Sequence, residues 1–190
     1  MITDHWLSWT ILFGFLAFLA YTLIVVKEEK ASFKESAKEC SFHQFRFQVP
    51  SWWGLVEESE NLLKWKRTDT RYDWEATLKR ETTLNKDISI EEDFKNRIEE
   101  LELVFDLDSS DILMPADFKD RPEVREGDLE IVRIEGTATQ QGTERCYFDA
   151  FLFRDHKRGE VLFASSHSSV LNGLVEGPYF EEMILGAHFS

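Results

Sequence analysis

One apolar segment near the N-terminus constrains this 190-residue chain more than any other feature. Residues 6–26, WLSWTILFGFLAFLAYTLIVV, contain no charged side chain. A helix of this length, at about 1.5 Å per residue, is about 30 Å long, which matches the hydrocarbon core of a bilayer. Trp6 and Trp9 at one end and Lys27 and Lys30 at the other suit the two membrane interfaces. We therefore predict a single membrane-spanning helix over residues 6–26.

A cleaved signal peptide is the alternative for this segment. Residues 1–5 carry no Lys or Arg, the apolar run is longer than the core of a signal peptide, and no A-x-A-like cleavage site follows it. The pattern favours an uncleaved anchor. It predicts a short N-terminal tail, a membrane helix, a charged stalk that either continues the helix or links it to the rest, and one soluble domain: residues 1–5, 6–26, 27–40 and 41–190.

Basic residues flank this helix only on its C-terminal side, at Lys27, Lys30, Lys34 and Lys38. Basic residues next to a membrane helix favour the cytoplasmic side, and the acidic residues between them count for little. The flanks therefore predict a soluble domain in the cytoplasm.

The composition restricts the classes of partner. The formal net charge of −14 argues against nucleic acid and against direct contact with anionic lipid, and it favours a basic protein surface. The two cysteines, Cys40 and Cys146, are too far apart in sequence for a zinc or redox motif. They would pair only in an oxidising compartment, and two reduced thiols are the favoured reading for a cytoplasmic domain.

The soluble part alternates between strand and helix patterns. Alternating apolar and polar residues predict a strand at 45–49 and, after a turn at Trp52–Gly54, two further strands at 63–65 and 74–78. Residues 144–154 are mostly apolar at both alternating sets of positions, which predicts a central strand covered on both faces. The turn at 155–159 then leads into a hairpin partner at 160–169.

Two helices complete the pattern. Ser89 and Glu92 form a capping box, and a stripe of apolar residues follows at helical spacing: Ile90, Phe94, Ile98, Leu101 and Phe105. Residues 106–128 predict a long acidic surface loop, and Gly177 and Pro178 predict the start of a short last helix. The fold class is α+β: an antiparallel sheet flanked by helices in an α/β/α sandwich.

This order of elements resembles the PsbP-like domain, which is named for an extrinsic photosystem II subunit. The resemblance covers most of residues 42–189. It rests on the strand, proline and tryptophan of Phe47-Gln48-Val49-Pro50-Ser51-Trp52 and on the closing strand and helix over 160–185. It implies an antiparallel sheet between helices and a non-catalytic accessory or binding subunit of a membrane complex.

Two stretches suggest chemistry. Asp106, Asp108, Ser110 and Asp117 partly match a calcium loop, but Asp111 stands where glycine is needed, and a solvated acidic loop is the alternative. Ser165 and His167 would share one face of a strand, as a serine and its activating histidine require. A polar strand face explains this second pattern equally well. No phosphate loop, metalloprotease motif or nucleophile elbow occurs, and the sequence predicts no cofactor.

Three groups of residues are candidate contact surfaces. Adjacent tryptophans in a turn are hard to bury together, so Trp52 and Trp53 could form a recognition patch. A basic hairpin tip could contact an acidic partner or lipid headgroups: Arg154, His156, Lys157 and Arg158. A stripe of small residues on the membrane helix would let another helix approach: Thr10, Gly14, Ala17 and Tyr21.

These observations predict a non-catalytic, membrane-anchored accessory or structural subunit of a membrane protein complex that acts through protein contacts. Two other classes stay open. An enzyme would need a pocket in which Ser165, His167 or the acidic loop converge, and a lipid-binding or ligand-binding module would need an apolar cavity beside the sheet.

Overall fold

The computed structural model describes residues 3–67, 73–82 and 87–189. Met1, Ile2 and Ser190, at the ends of the predicted tail and domain, lie outside the described residues. The helices are α1 Thr3–Ser36, α2 Ile90–Glu100, α3 Pro122–Arg125 and α4 Val170–Leu185, and a 3-10 turn spans Pro115–Phe118. The strands are β1 Lys38–Phe42, β2 Phe45–Val49, β3 Trp53–Ser59, β4 Leu62–Arg67, β5 Trp74–Glu81, β6 Leu103–Leu113, β7 Leu129–Gln140, β8 Glu144–Asp155, β9 Glu160–Ser168 and β10 His188–Phe189.

A seven-stranded antiparallel sheet forms the centre of the domain, in the order β3-β4-β5-β9-β8-β7-β6. A small sheet of β1, β2 and β10 packs with α4 on one face, which we call the α4 face, and α2 covers the other, the α2 face. The predicted α+β class with an antiparallel sheet flanked by helices is confirmed.

Several sequence patterns became the predicted elements. The alternation over residues 45–49 became β2, and β4 and β5 contain the next two predicted strands. Residues 146–155 of β8 are buried throughout, because both faces of this interior strand are covered. The turn after β8 returns the chain into β9, with Asp155 opposite Glu160. The both-sided apolar pattern therefore identified a central strand correctly.

The capping box marks the start of α2 as predicted. The Ser89 hydroxyl accepts a hydrogen bond from the backbone N–H of Glu92 at 3.2 Å, and Ile90, Phe94 and Ile98 are buried against the sheet. The helix ends at Glu100, because the chain turns at Glu102, which has a left-handed φ of 55°. Phe105 belongs to β6, so extending the helical stripe to it was wrong.

The predicted loop over residues 106–128 is mostly regular structure. Its first part is β6, in which a bulge places four residues, 106–109, opposite the single residue Thr137 of β7, between the pairs Phe105–Ala138 and Ser110–Gly136. This odd number of extra residues reverses which side chains face the α2 side, so no single alternation runs through the strand. A Cβ at Gly136 would lie 2.6 Å from the Ser109 carbonyl oxygen, so a glycine is needed where the bulge crosses β7.

The last helix begins at Val170, well before the predicted start at Gly177, and Pro178 lies inside it. Its inward face in the first two turns consists of small and polar residues: Asn172, Gly173, Glu176 and Gly177. The apolar residues of these turns point outward instead. A search for an apolar inward face therefore misses this half of the helix.

The remaining differences lie at the end of α1 and in the first strands of the domain. The turn before β3 is at residues 51–52, and Trp53 and Gly54 already belong to the strand. The helix α1 continues through the charged segment to Ser36, which is the first of the two alternatives for the stalk. Both cysteines are free, with Cys40 on β1 and Cys146 buried on β8.

Candidate functional site: two contact surfaces of the domain

The end of α1 is packed into the domain. Phe33 is 2% exposed and makes edge-on contacts with Trp52 and Tyr179, at centroid distances of 6.3 and 5.4 Å. Lys34 forms an ion pair with Glu182 of α4 at 3.3 Å. The segment Ser8–Val25 of the same helix has a mean hydropathy of 2.0, is long and apolar enough to cross a membrane, and has none of its residues buried. The apolar segment is therefore joined to the domain by a buried contact.

A buried carboxylate attaches α4 to the strands beneath it. Glu176 is almost fully buried and accepts hydrogen bonds from the indole nitrogens of Trp53 at 2.8 Å and Trp52 at 3.2 Å. Its other oxygen forms an ion pair with Arg67 at the end of β4. A buried carboxylate needs such partners, since burial without them is costly. This cluster fixes α4 next to Trp52 and Tyr179, the two aromatic residues that contact Phe33.

A second buried ionic cluster lies under α4 on β7 and β8. The Arg133 guanidinium donates two hydrogen bonds to Asp149, at 3.0 and 2.9 Å, and forms ion pairs with Glu135 and Glu181. Burial raises the pKa of Asp149 to about 7, against the lowering effect of Arg133. One cation thus faces three carboxylates. Tyr147 donates a hydrogen bond to Glu135, and burial, followed by this hydrogen bond, raises the pKa of its phenol.

The outward side of α4 carries the first exposed apolar surface. Leu171, Leu174 and Val175 are 76%, 62% and 57% exposed and lie at helical spacing on the first two turns. We call these three residues the α4 stripe. Tyr179, one turn beyond Val175, contacts Phe33 of α1. Exposed neighbouring apolar side chains of this kind mark interaction sites more often than isolated ones do.

The second apolar surface is a groove between α2 and the edge of the sheet. It has a volume of about 390 Å³, and its floor consists of buried side chains of α2 and β7: Phe94, Ile98, Val132 and Ile134. Ile112 and Met114, at and just after the end of β6, form its open wall, and Glu91, Lys95 and Glu99 form its rim. The volume falls at the lower end of the range of small-molecule sites, about 300–1,000 Å³.

The calcium candidates do not form a loop. Asp106, Asp108 and Ser110 lie within β6, and Asp117 lies in the 3-10 turn, where it accepts a hydrogen bond from the Met114 N–H. Asp106 already accepts from Thr137 at 2.8 Å and pairs with Arg145 at 2.7 Å. Among the residues the structure describes, no group of three or more His, Cys, Asp or Glu side chains could hold a metal ion. The loop interpretation is therefore wrong, because strand pairing separates its ligands.

The tryptophan pair is split between surface and core. Trp53 is 3% exposed and packs on Trp74, with ring centroids 4.0 Å apart, so its assignment to an exposed patch was wrong. Trp52 is half-buried, between Phe33 and Glu176. Both indole N–H groups reach Glu176, which is how the chain buries two adjacent tryptophans. Trp52 thus contacts α1 of the same chain.

The basic hairpin tip is neutralised by its neighbours. Arg154 is buried and pairs with Asp93 of α2, so it was wrongly assigned to the tip. Each of the other three has an acidic partner: His156 with Glu130 at 3.0 Å, Lys157 with Asp128 at 2.5 Å and Arg158 with Asp155 at 3.1 Å. The tip therefore presents compensated charge. Its contact with an acidic partner or lipid stays a prediction.

Ser165 and His167 lie on the α2 face of β9, as the alternation predicts, while Ser166 and Ser168 are buried on the other face. His167 packs edge-on against Phe148, and within the described part of the chain no hydrogen bond joins it to a serine.

The predicted membrane-helix stripe lies wholly on the exposed surface of α1: Thr10, Gly14, Ala17 and Tyr21. A Cβ at Gly14 would meet nothing within 4 Å.

Four features of the two surfaces were not predicted from the sequence: Arg133, Asp149, Glu176 and the α4 stripe. A signal for the first two was present, since Asp149 interrupts an otherwise apolar strand and Arg133 interrupts its neighbour. Charges within strands buried on both faces must pair with each other. The apolar face of α4 had no such signal, because it points away from the core.

Comparison with known proteins supports the fold. No family model matches the chain, and no curated protein matches it at a significant level. Among solved structures, the Ran-binding protein Mog1p of Saccharomyces cerevisiae is 9% identical, with 80% of this chain and 95% of that chain covered and a TM-score of 0.52. Cyanobacterial PsbP from Synechocystis sp. PCC 6803 is 11% identical, with 82% and 93% covered and a TM-score of 0.52. The predicted resemblance to the PsbP-like domain is confirmed at the level of the fold.

Proposed function

We propose that this chain is a non-catalytic accessory subunit of a membrane protein complex. Residues 6–26 anchor it in the bilayer, and its domain contacts a partner membrane protein through the α4 stripe. The observation that carries this proposal is the burial of Phe33 between Trp52 and Tyr179. It attaches the anchor helix to the same helix, α4, that exposes Leu171, Leu174 and Val175.

An uncleaved anchor is supported by the continuity of α1. The helix runs from the apolar segment through the charged residues to the turn that contains Phe33. A signal peptide is instead followed by a cleavage site with small residues, which this sequence lacks. The exposed stripe of Thr10, Gly14, Ala17 and Tyr21 gives a partner helix a place to pack within the bilayer.

The fold is compatible with this role. A protein described as Ran-binding shares it, so the fold can serve protein recognition. The net charge of −14 favours a partner with a basic surface over nucleic acid or anionic lipid. The four lysines after the anchor favour a cytoplasmic domain. Protease digestion of intact and permeabilised cells tests this orientation: in the outer cell membrane, a cytoplasmic domain is degraded only after permeabilisation, and degradation in intact cells contradicts it.

Site-specific photo-crosslinking in native membranes tests the proposed function. A photoreactive residue replaces Leu174 of the α4 stripe, and a matched derivative carries it at Lys157 on the hairpin tip, which is similarly exposed. We expect a discrete adduct with an integral membrane protein from position 174 and none from position 157. Adducts that are absent at 174, or identical at both positions, contradict the proposal.

The helix stripe has its own test. Gly14→Leu combined with Ala17→Leu fills the small-residue surface without adding charge, and Leu12→Ala combined with Leu16→Ala alters the bulkier opposite side. We expect the first pair to weaken the adduct from position 174 and the second to leave it unchanged. Equal adduct yields from both pairs would remove the helix stripe from the proposal.

A further inference from the structure

The groove between α2 and β6 is a contact surface separate from the α4 stripe, since it lies on the other face of the sheet. We propose that it binds an extended segment of a partner protein in which apolar and basic residues alternate, added as a strand to the free edge of β6. The inference rests on the proposed role in protein contact and names the chemistry of one partner segment.

The edge of β6 is open for pairing. β6 is the last strand of the sheet and, among the described residues, pairs only with β7. Its regular part after the bulge runs from Ser110 to Leu113, and the next N–H, that of Met114, is taken by Asp117. An exposed edge strand presents unpaired backbone groups to an incoming strand, and peptide recognition by strand addition uses them.

The groove offers apolar contacts beside that edge. Ile112 and Met114 are 50% and 41% exposed and stand over a floor that includes Phe94 and Val132. Side chains of an added strand alternate between the two faces of the sheet. Every second residue of the incoming segment would therefore enter the groove, where only apolar side chains suit the floor.

The charges around the edge select the other residues of the segment. Asp111 of β6 is exposed and, being adjacent to Ile112, points to the opposite face. On the groove side, the rim carries Glu91 and Glu99, and the one rim lysine, Lys95, is already paired with Glu99 at 3.6 Å. The basic residues between the apolar ones would point to the same face as Asp111 and meet its carboxylate, while Glu91 and Glu99 give the groove side a negative potential that attracts a basic segment.

A fatty acid fits the same groove less well. Its acyl chain would suit the floor, but its carboxylate would lie next to the rim carboxylates of Glu91 and Glu99, in a domain with a large negative charge. Like charges at such distances disfavour binding. The acidic rim thus favours a basic peptide over an anionic lipid.

Peptide binding to the full-length protein in lipid nanodiscs tests the inference. The probe is a fluorescent heptapeptide KLKLKLK, followed by anisotropy, and its controls are ELELELE and a KLKLKLK peptide with alternate backbone nitrogens methylated. N-methylation removes the donors needed for strand pairing and keeps the side chains. We expect binding of the first peptide only, with slower amide exchange at residues 110–113.

Matched substitutions separate the groove from general charge attraction. Ile112→Ser with Met114→Ser removes the open wall of the groove, and Leu55→Ser with Val56→Ser changes two residues of β3, 45% and 52% exposed, at the opposite edge of the sheet. We expect the groove pair to lower affinity at least about tenfold, because both substitutions remove apolar surface that the peptide would bury. The β3 pair should change affinity less than about twofold, consistent with a site that it does not touch.

Three results overturn the inference: equal affinity of the methylated peptide, an equal loss from both pairs of substitutions, or tighter binding of ELELELE. Unchanged circular dichroism of the variants excludes misfolding. The crosslink from position 174, measured in the groove variant, keeps the two proposals apart. If peptide binding fails and the crosslink persists, only the groove inference falls. If the crosslink is absent and the peptide binds, the anchored accessory role falls and the groove stands.

Discussion

The helices on the two faces of the central sheet are held by different contacts. On the α4 face, the helix is held by ionic and hydrogen-bonded contacts to buried groups, Glu176 with its two indoles and Arg133 with its carboxylates. On the α2 face, an apolar cluster and the ion pairs of Asp93 with Arg154 and of Arg97 with Glu81 hold the helix, but these contacts stop short of the edge strand, which leaves the groove. Directional contacts to buried groups fix the position of a helix, whereas an open apolar groove leaves room for a binding partner. The α4 face therefore suits a rigid contact with α1, and the groove at the edge of the α2 face suits binding.

The largest expected effect comes from removing the cation of the α4 face. Arg133→Met leaves Asp149, Glu135 and Glu181 without their shared partner, and we expect a loss of about 3–5 kcal/mol in the free energy of unfolding. Asp149→Asn should cost less, about 1–3 kcal/mol, because Arg133 keeps two carboxylates. Urea unfolding measures both variants.

Lys157 is exposed, so Lys157→Met serves as a control for the loss of a positive charge and should leave the free energy of unfolding nearly unchanged. An Arg133→Met variant as stable as this control would show that the cluster does not hold the α4 face together.

The two faces should also respond to opposite directions of pH. Burial raises the pKa of Asp149 from 3.8 to about 7, so its contribution to stability is complete below its unfolded pKa and is lost as pH rises through 7. On the α2 face, two hydrogen bonds from Arg97 lower the pKa of Glu81 from 4.5 to about 2. This second contribution is present above pH 4.5 and is lost as pH falls towards 2.

Urea unfolding as a function of pH checks both signs. Asp149→Asn should flatten the decline between pH 4 and 7 and leave the acid limb, and Glu81→Gln should reduce the acid limb and leave the decline. A wild-type stability that rises steadily from pH 4 to 8 would contradict the assignment for Asp149.

A smaller effect is expected from the close contact between α4 and the sheet. A Cβ at Gly173 would lie 2.1 Å from Cγ of Tyr147, while one at Gly177 would lie 3.0 Å from the phenol oxygen. Gly173→Ala should destabilise the protein by about 1–3 kcal/mol, since the near end of the tyrosine cannot move away. Gly177→Ala should cost clearly less. Thermal unfolding of the two variants gives the comparison, and equal costs would argue against tight packing at Gly173.

The smallest effect on stability is expected on the α2 face. Ile112 is half exposed and lies at the sheet edge, so Ile112→Ser should change the free energy of unfolding by less than about 0.5 kcal/mol. A loss above 2 kcal/mol, measured by urea unfolding, would mean that the groove wall is part of the core rather than an open contact surface.

The contrast between the faces also explains what the sequence could predict. Apolar periodicity and capping identified α2, and two-sided burial identified β8, because most of the side chains that these elements bury are apolar. The inward face of α4 carries Asn172, Gly173 and Glu176, so its first half has no apolar inward pattern to detect. The bulge in β6 reversed the alternation, and the ionic contacts of Glu176 join residues over 100 positions apart. Such contacts depend on the tertiary arrangement and leave no local signal.

The distance between the apolar segment of α1 and the domain gives the most direct test of whether Phe33 holds the two in one rigid arrangement. Spin labels replace Thr22 on α1 and Lys157 on the hairpin tip, and double electron–electron resonance measures their separation in lipid nanodiscs. The account predicts one narrow distance distribution that broadens when Phe33→Ala empties the socket of Trp52 and Tyr179. A broad distribution in the unsubstituted chain, unchanged by Phe33→Ala, would contradict it.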